Sequence, residues 1–126
     1  ILRLLNIFEI ANKYPFETSG GQQQRTAIGR ALINDPAIIF ADEPTGNLDS
    51  KSSNSIMTYF QKINKEKSCT ILMVTHDAFA ASFCDRIIFI KDGHINSEMV
   101  KDCRRKEFFD KILLHLSKIG GEENDV

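Results

Sequence analysis

Apolar and polar positions fall into blocks that alternate between strand and helix periodicity. Ala37 to Ala41 is an unbroken apolar run between Asn34-Asp35-Pro36 and Asp42-Glu43-Pro44, which suits a strand buried on both faces of a parallel sheet. Ahead of it, Ser19 is a good N-cap. Gln22 onward reads as helix, with Ala27, Ile28, Ala31 and Leu32 on one stripe. Beyond it, Asp49 or Ser50 caps a helix running to about Lys65, whose Ile56, Met57, Phe60 and Ile63 share a face. Thr70 to Val74 is the next buried strand, Asp77 to Phe83 a short helix capped by Asp77, and Ile87 to Ile90 a further strand. Lys91-Asp92-Gly93-His94 predicts a hairpin turn into Ile95, because Asp-Gly supplies the positive φ angles of tight hairpins. This is the βαβ order of an α/β fold, a parallel sheet ending in an antiparallel edge.

The two ends say less. Leu2, Leu4, Leu5, Phe8 and Ile10 mark an amphipathic pattern in the opening segment. Phe108, Phe109, Ile112, Leu113 and Leu116 mark one stripe of a terminal helix that follows the basic run Lys101 to Lys106. Its simplest use is to pack back on the domain or on the domain's other half, its sharper one to bind a regulator or partner. Gly120 to Val126 reads as a frayed acidic tail. The chain thus divides into residues 1–100 and a C-terminal helical extension with its tail, 101–126.

The chemistry gathers at the carboxyl end of the first strand. Ligands of open α/β sheets bind outside that end. Asp42 is therefore placed to hold a hydrated Mg²⁺, and Glu43 to orient or deprotonate an attacking water. As successive residues of a strand, the two acids should point opposite ways. A blander alternative is that Glu43, before Pro44, only opens a turn. Ser19-Gly20-Gly21 at a helix start offers unpaired N–H groups and close backbone approach, and so a site for an anion.

Order and spacing carry more than either signal alone. Ser19-Gly20-Gly21-Gln22 resembles the signature motif of the ABC transporter ATPases, and Ile38 to Glu43 resembles their Walker B strand with its catalytic glutamate. Gly46-Asn47-Leu48-Asp49 resembles the D-loop, and Thr75-His76-Asp77 the histidine switch. The likeness covers roughly residues 14 to 95. It implies a P-loop NTPase fold of three layers with a mostly parallel sheet. No glycine of the seven is followed by Lys, so the phosphate loop G-x-x-x-x-G-K-[ST] is not in this sequence. The segment looks like the carboxy-terminal half of a nucleotide-binding domain.

The resemblance also implies roles. ATP and Mg²⁺ are the expected cofactors, Glu43 and His76 the catalytic residues, and Asp42 the metal contact through water. His76 and Glu43, each past a strand of the same sheet, are expected to face one γ-phosphate. Ser19, Gly20, Gly21, Gln22 and Asp49 would meet the nucleotide of a second subunit across a head-to-tail dimer. Transmembrane permease subunits would be the further partners, at the cytoplasmic face of a bacterial plasma membrane. Gln22 to Arg25 and Thr45 to Ser50 look most like the branch serving antimicrobial-peptide and bacitracin export, lipoprotein release and macrolide efflux.

Composition agrees with a globular piece: 42% hydrophobic and 26% charged residues are ordinary for a soluble domain. A net charge of −1 argues against a general nucleic-acid binder. Cys69, Cys84 and Cys103 lack metal-ligand spacing and read as reduced thiols. No apolar run approaches the roughly 18 residues of a membrane span, so membrane contact would pass through a partner. Two other functions share these motifs: a soluble ABC-type ATPase uncoupled from transport, and a non-catalytic dimerisation module.

Overall fold

The computed structural model describes residues 20–124, and Ser19 together with the amphipathic opening segment lies outside them. The chain divides into two compact units, one ending at Thr75 and the other beginning at His76.

The first unit runs through α1 (Gly20–Leu32), β1 (Ile38–Asp42), α2 (Ser50–Lys67) and β2 (Thr70–Val74). β1 and β2 pair in parallel from Ile38 opposite Thr70 to Asp42 opposite Val74. The face of α2 expected from its spacing is buried, with Ile56, Met57, Phe60 and Ile63 each at most 4% exposed. α2 packs on both α1 and β2, and the Arg25 guanidinium of α1 stands 5.5 Å from the centre of the Tyr59 ring of α2. The α1 stripe is rotated from expectation. Ile28, Gly29 and Leu32 are buried, while Ala27 and Ala31 are exposed, because an alanine methyl buries too little surface to orient a helix against the larger side chains.

The strands also differ from expectation. Ile39 is buried, but Ile38 is 42% and Phe40 74% exposed, and Leu72 and Val74 are open as well. β1 and β2 therefore bury one face. Such apolar runs suit cover on both sides, yet the described residues build no layer over the second face, so the three-layer arrangement is incomplete within them.

The second unit contains α3 (Ala78–Ala81), β3 (Arg86–Lys91), β4 (His94–Val100) and α4 (Arg105–Asn124). β3 and β4 form an antiparallel hairpin. Asp92 and Gly93 at its tip take φ of 52° and 77°, the two left-handed residues that suit strand twist. Among the described residues β3 and β4 pair with each other alone, whereas the sequence pattern led to one sheet with an antiparallel edge.

α4 packs on the hairpin through Phe108 and Ile112, which join Phe89 in a buried cluster with Ile87 and Met99 at its border. Its inner seam runs through the buried Phe108 and Ile112 and the half-buried His115 and Ile119, leaving Leu113 and Leu116 exposed. His115 belongs there because its ring lies 4.4 Å from that of Phe89 and its Nε2 shares a 2.6 Å hydrogen bond with the Ser97 hydroxyl. The helix also continues past Gly120 to Asn124, where the sequence suggested a frayed tail. Extending a formed helix costs far less than starting one.

Candidate functional site

Four chain segments of the first unit meet at the carboxyl end of β1. β1 ends at Asp42, whose carboxylate is exposed. At Glu43 the chain leaves the strand with φ of 45°, a left-handed conformation that side-chain-bearing residues adopt rarely and at a cost. The Glu43 N–H still donates to the Val74 carbonyl at 2.7 Å, so the residue remains anchored to β2 while its chain turns. Its carboxylate Oε2 accepts a 3.0 Å hydrogen bond from the Thr75 hydroxyl. The placement of the Glu43 carboxylate thus rests on this turn and on its Thr75 partner.

The turn itself is ordered. Gly46 N–H donates to the Glu43 carbonyl at 3.0 Å, and Leu48 N–H to the Thr45 carbonyl at 3.2 Å. Pro44, at the second position of the first turn, presets φ for it. Glu43 opens a turn, as the blander sequence alternative held, and also presents a positioned carboxylate. From α1, Gln24 Nε2 donates to the Pro44 carbonyl at 2.8 Å, tying the glycine-bearing helix to the segment that follows the acids.

Asp49 sits at the far end of this loop, where Oδ1 accepts a 2.7 Å hydrogen bond from the Ser52 N–H and caps α2. Those hydrogen bonds from Ser52 hold its carboxyl below the ordinary value of 3.8. Gly21, also on α1, faces the same first turn of α2: a Cβ there would stand 3.2 Å from the Ser52 Oγ. Gln22 contributes its carbonyl to the Thr26 hydroxyl at 3.0 Å. Of the residues singled out from sequence, Asp42, Glu43 and Asp49 lie along one loop, and Gly21 adjoins that loop's exit. Gly20 opens α1. His76 is exposed and begins the second unit, directly after Thr75.

Neither Thr75 nor Gln24 is marked for an individual task by its local sequence. Thr75 was legible only as a member of Thr75-His76-Asp77, and Gln24 only as one of three consecutive glutamines. Their partners lie 32 and 20 positions away.

The donor set suits Mg²⁺ bound with its substrate better than a preformed cage. Among the described residues no group of three or more His, Cys, Asp or Glu side chains could hold a metal. A single open carboxylate such as Asp42 fits an ion that keeps its waters and takes its remaining ligands from phosphate.

A family model described as ABC transporter matches residues 1–46. The chain is 54% identical over 118 residues to the uncharacterized ABC transporter ATP-binding protein YvcR of Bacillus subtilis, covering 94% of this chain and 46% of that protein. It belongs to the ABC transporter ATP-binding proteins. The bacitracin export ATP-binding protein BceA of Halalkalibacterium halodurans is 52% identical over 96% of this chain and 48% of its own length. This ABC chain therefore spans about half the length of the curated relatives it matches. Among solved structures, the dimeric ABC transporter cassette MJ0796, from Methanocaldococcus jannaschii, aligns with a TM-score of 0.67 at 48% identity, over 79% of this chain and 43% of that one. A second structure of the same cassette is a dimer in a post-hydrolysis state bound to ADP and Pi. The fold is that of the ABC ATPase cassettes, mixed α/β with parallel strands, present in part.

Proposed function

We propose that this chain carries the catalytic base of an ATPase subunit that powers an ABC exporter, with bacitracin-type peptide antibiotics as the cargo class. The observation that carries the reading is the Glu43 carboxylate at the end of a parallel strand pair, oriented by the Thr75 hydroxyl at 3.0 Å. Phosphoryl transfer to water depends mainly on positioning and charge stabilisation, and a fixed carboxylate beside an exposed Asp42 serves both. In this reading Glu43 accepts a proton from the attacking water, and Asp42 steadies hydrated Mg²⁺ on the phosphates. His76 donates a hydrogen bond to the γ-phosphate.

Ser19, Gly20, Gly21, Gln22 and Asp49 act on the nucleotide of a partner subunit, and membrane permease subunits couple the motion to transport. The dimeric cassette MJ0796 and its ADP-bound state support the nucleotide and the partner subunit. The similarity to BceA supports the cargo class. Among the described residues no helix is long and apolar enough to cross a membrane.

The test uses the full-length subunit that carries this segment. Glu43→Gln should keep ATP binding and lower turnover by about 10²–10⁴, with ATP-bound dimers accumulating. Near-normal hydrolysis by this variant would remove Glu43 from the role of base. Asp42→Asn should instead raise the Mg²⁺ concentration needed for half-maximal rate.

A further inference from the structure

The second unit contains a grip on the segment that follows His76. α3 is a single turn, Ala78–Ala81, and so short a helix has little stability of its own. Its place must come from what holds it. At one end the Asp77 carboxylate accepts a 3.0 Å hydrogen bond from the Phe79 N–H. At the other end stands Arg105, the first residue of α4. Its guanidinium lies 5.2 Å from the centre of the Phe79 ring and 4.8 Å from that of Phe83. The two rings meet edge to face at 5.3 Å.

Arg105 Nη1 also donates to the Ser82 hydroxyl at 3.3 Å. That hydroxyl in turn donates to the Phe79 carbonyl at 2.6 Å, and Ser82 is fully buried. Cation and ring attract most strongly when shielded from water. Ala78 and Ala81 border the cluster of Phe108 and Ile112, so α4 also backs α3 along its length. His76 is joined to the capping Asp77 by one peptide bond, and a shift of α3 therefore turns the backbone from which the imidazole extends.

We propose that Arg105 is a positioning residue for His76: seated on Phe79, Ser82 and Phe83, it fixes the one-turn helix that sets the direction of the histidine. The proposal rests on the ATPase reading for its consequence and on the second unit alone for its geometry. It also gives α4 a task, since the helix carries both the guanidinium and the apolar backing.

The test compares Arg105→Ala, Arg105→Lys, His76→Ala and the double variant His76→Ala/Arg105→Ala in the full-length subunit. Arg105→Ala should lower kcat roughly three- to tenfold, the scale of one lost cation–ring contact and its hydrogen bond, with KM for ATP within about twofold. Lysine keeps the charge without the planar fork and should recover part of the rate. On the His76→Ala background the loss of Arg105 should add nothing further. Additive losses, or an unchanged kcat in Arg105→Ala, overturn the proposal.

Amide hydrogen exchange provides the second readout. Arg105→Ala should speed exchange at Phe79 to Phe83 and leave the β3–β4 hairpin unchanged, whereas loosening of the whole unit marks a general packing role and overturns positioning. If His76→Ala alone retains full kcat, positioning of His76 falls because the histidine assignment has failed. The exchange result then still decides whether the Arg105 grip exists.

Discussion

The Thr75 hydroxyl donates a 3.0 Å hydrogen bond to Glu43 Oε2, joining the residue after β2 to the residue after β1. The bond restricts the carboxylate of a half-buried acid, and hydrogen bonds to charged groups are among the stronger ones. Thr75→Val keeps the shape and removes the donor. In the full-length subunit kcat should fall roughly tenfold with little change in ATP affinity, while Thr75→Ser stays near wild type. Steady-state kinetics with a nucleotide-binding titration would show this. Equal rates for the Val and Ser variants would mean that the bond orients nothing that matters.

Glu43 also carries backbone strain. Its φ of 45° suits glycine and opposes β-branched residues. Glu43→Val should therefore be less stable than Glu43→Gly by about 1–2 kcal/mol, although both lack the carboxylate and both should fail to hydrolyse ATP. Denaturant unfolding of the pair measures the difference. Equal midpoints would show that the turn relaxes freely.

Asp49 links stability to pH in a known direction. Its carboxyl is held below 3.8 by the hydrogen bonds from Ser52, so the folded state binds its proton more weakly than the unfolded chain does. The contribution is then fully present above that ordinary value and is lost as pH falls through the lower folded value. Asp49→Asn keeps a capping oxygen without the titration. The two proteins should have similar thermal midpoints at pH 7, and the wild-type midpoint should decline faster below about pH 4. Parallel profiles down to pH 2.5 would remove the cap from the acid response.

Phe108 tests the packing of α4. It is fully buried beside Phe89 and Ile112, and truncating a buried aromatic ring costs about 3–5 kcal/mol. Phe108→Ala should lower the unfolding free energy of the second unit by that amount. Leu114→Ala, at a side chain 59% exposed, should change it by less than about 0.5 kcal/mol. A comparable loss in both would mean that the helix is not seated on the hairpin by its Phe108 side.

The sequence determined where the elements lie, because caps, turns and side-chain periodicity are local. Asp77 caps α3 as its position before the helix implies, and of the two candidates Asp49 and Ser50 it is Asp49 that caps α2. Asp92-Gly93 makes the hairpin turn, and Ile56 through Ile63 mark the buried face of α2. The sequence also placed Asp42 and Glu43 at a strand end, since an apolar run that stops at two acids has few other meanings. Only the tertiary structure decided what the local pattern does not encode. Which side of α1 and of α4 is buried depends on the partner surface, as the exposed Ala27 and the inward His115 show. That Glu43 turns left-handed and meets Thr75 depends on β2 lying in register beside β1. A hydrogen bond spanning 32 residues needs the chain to close that loop first, and no periodicity within either segment carries that information.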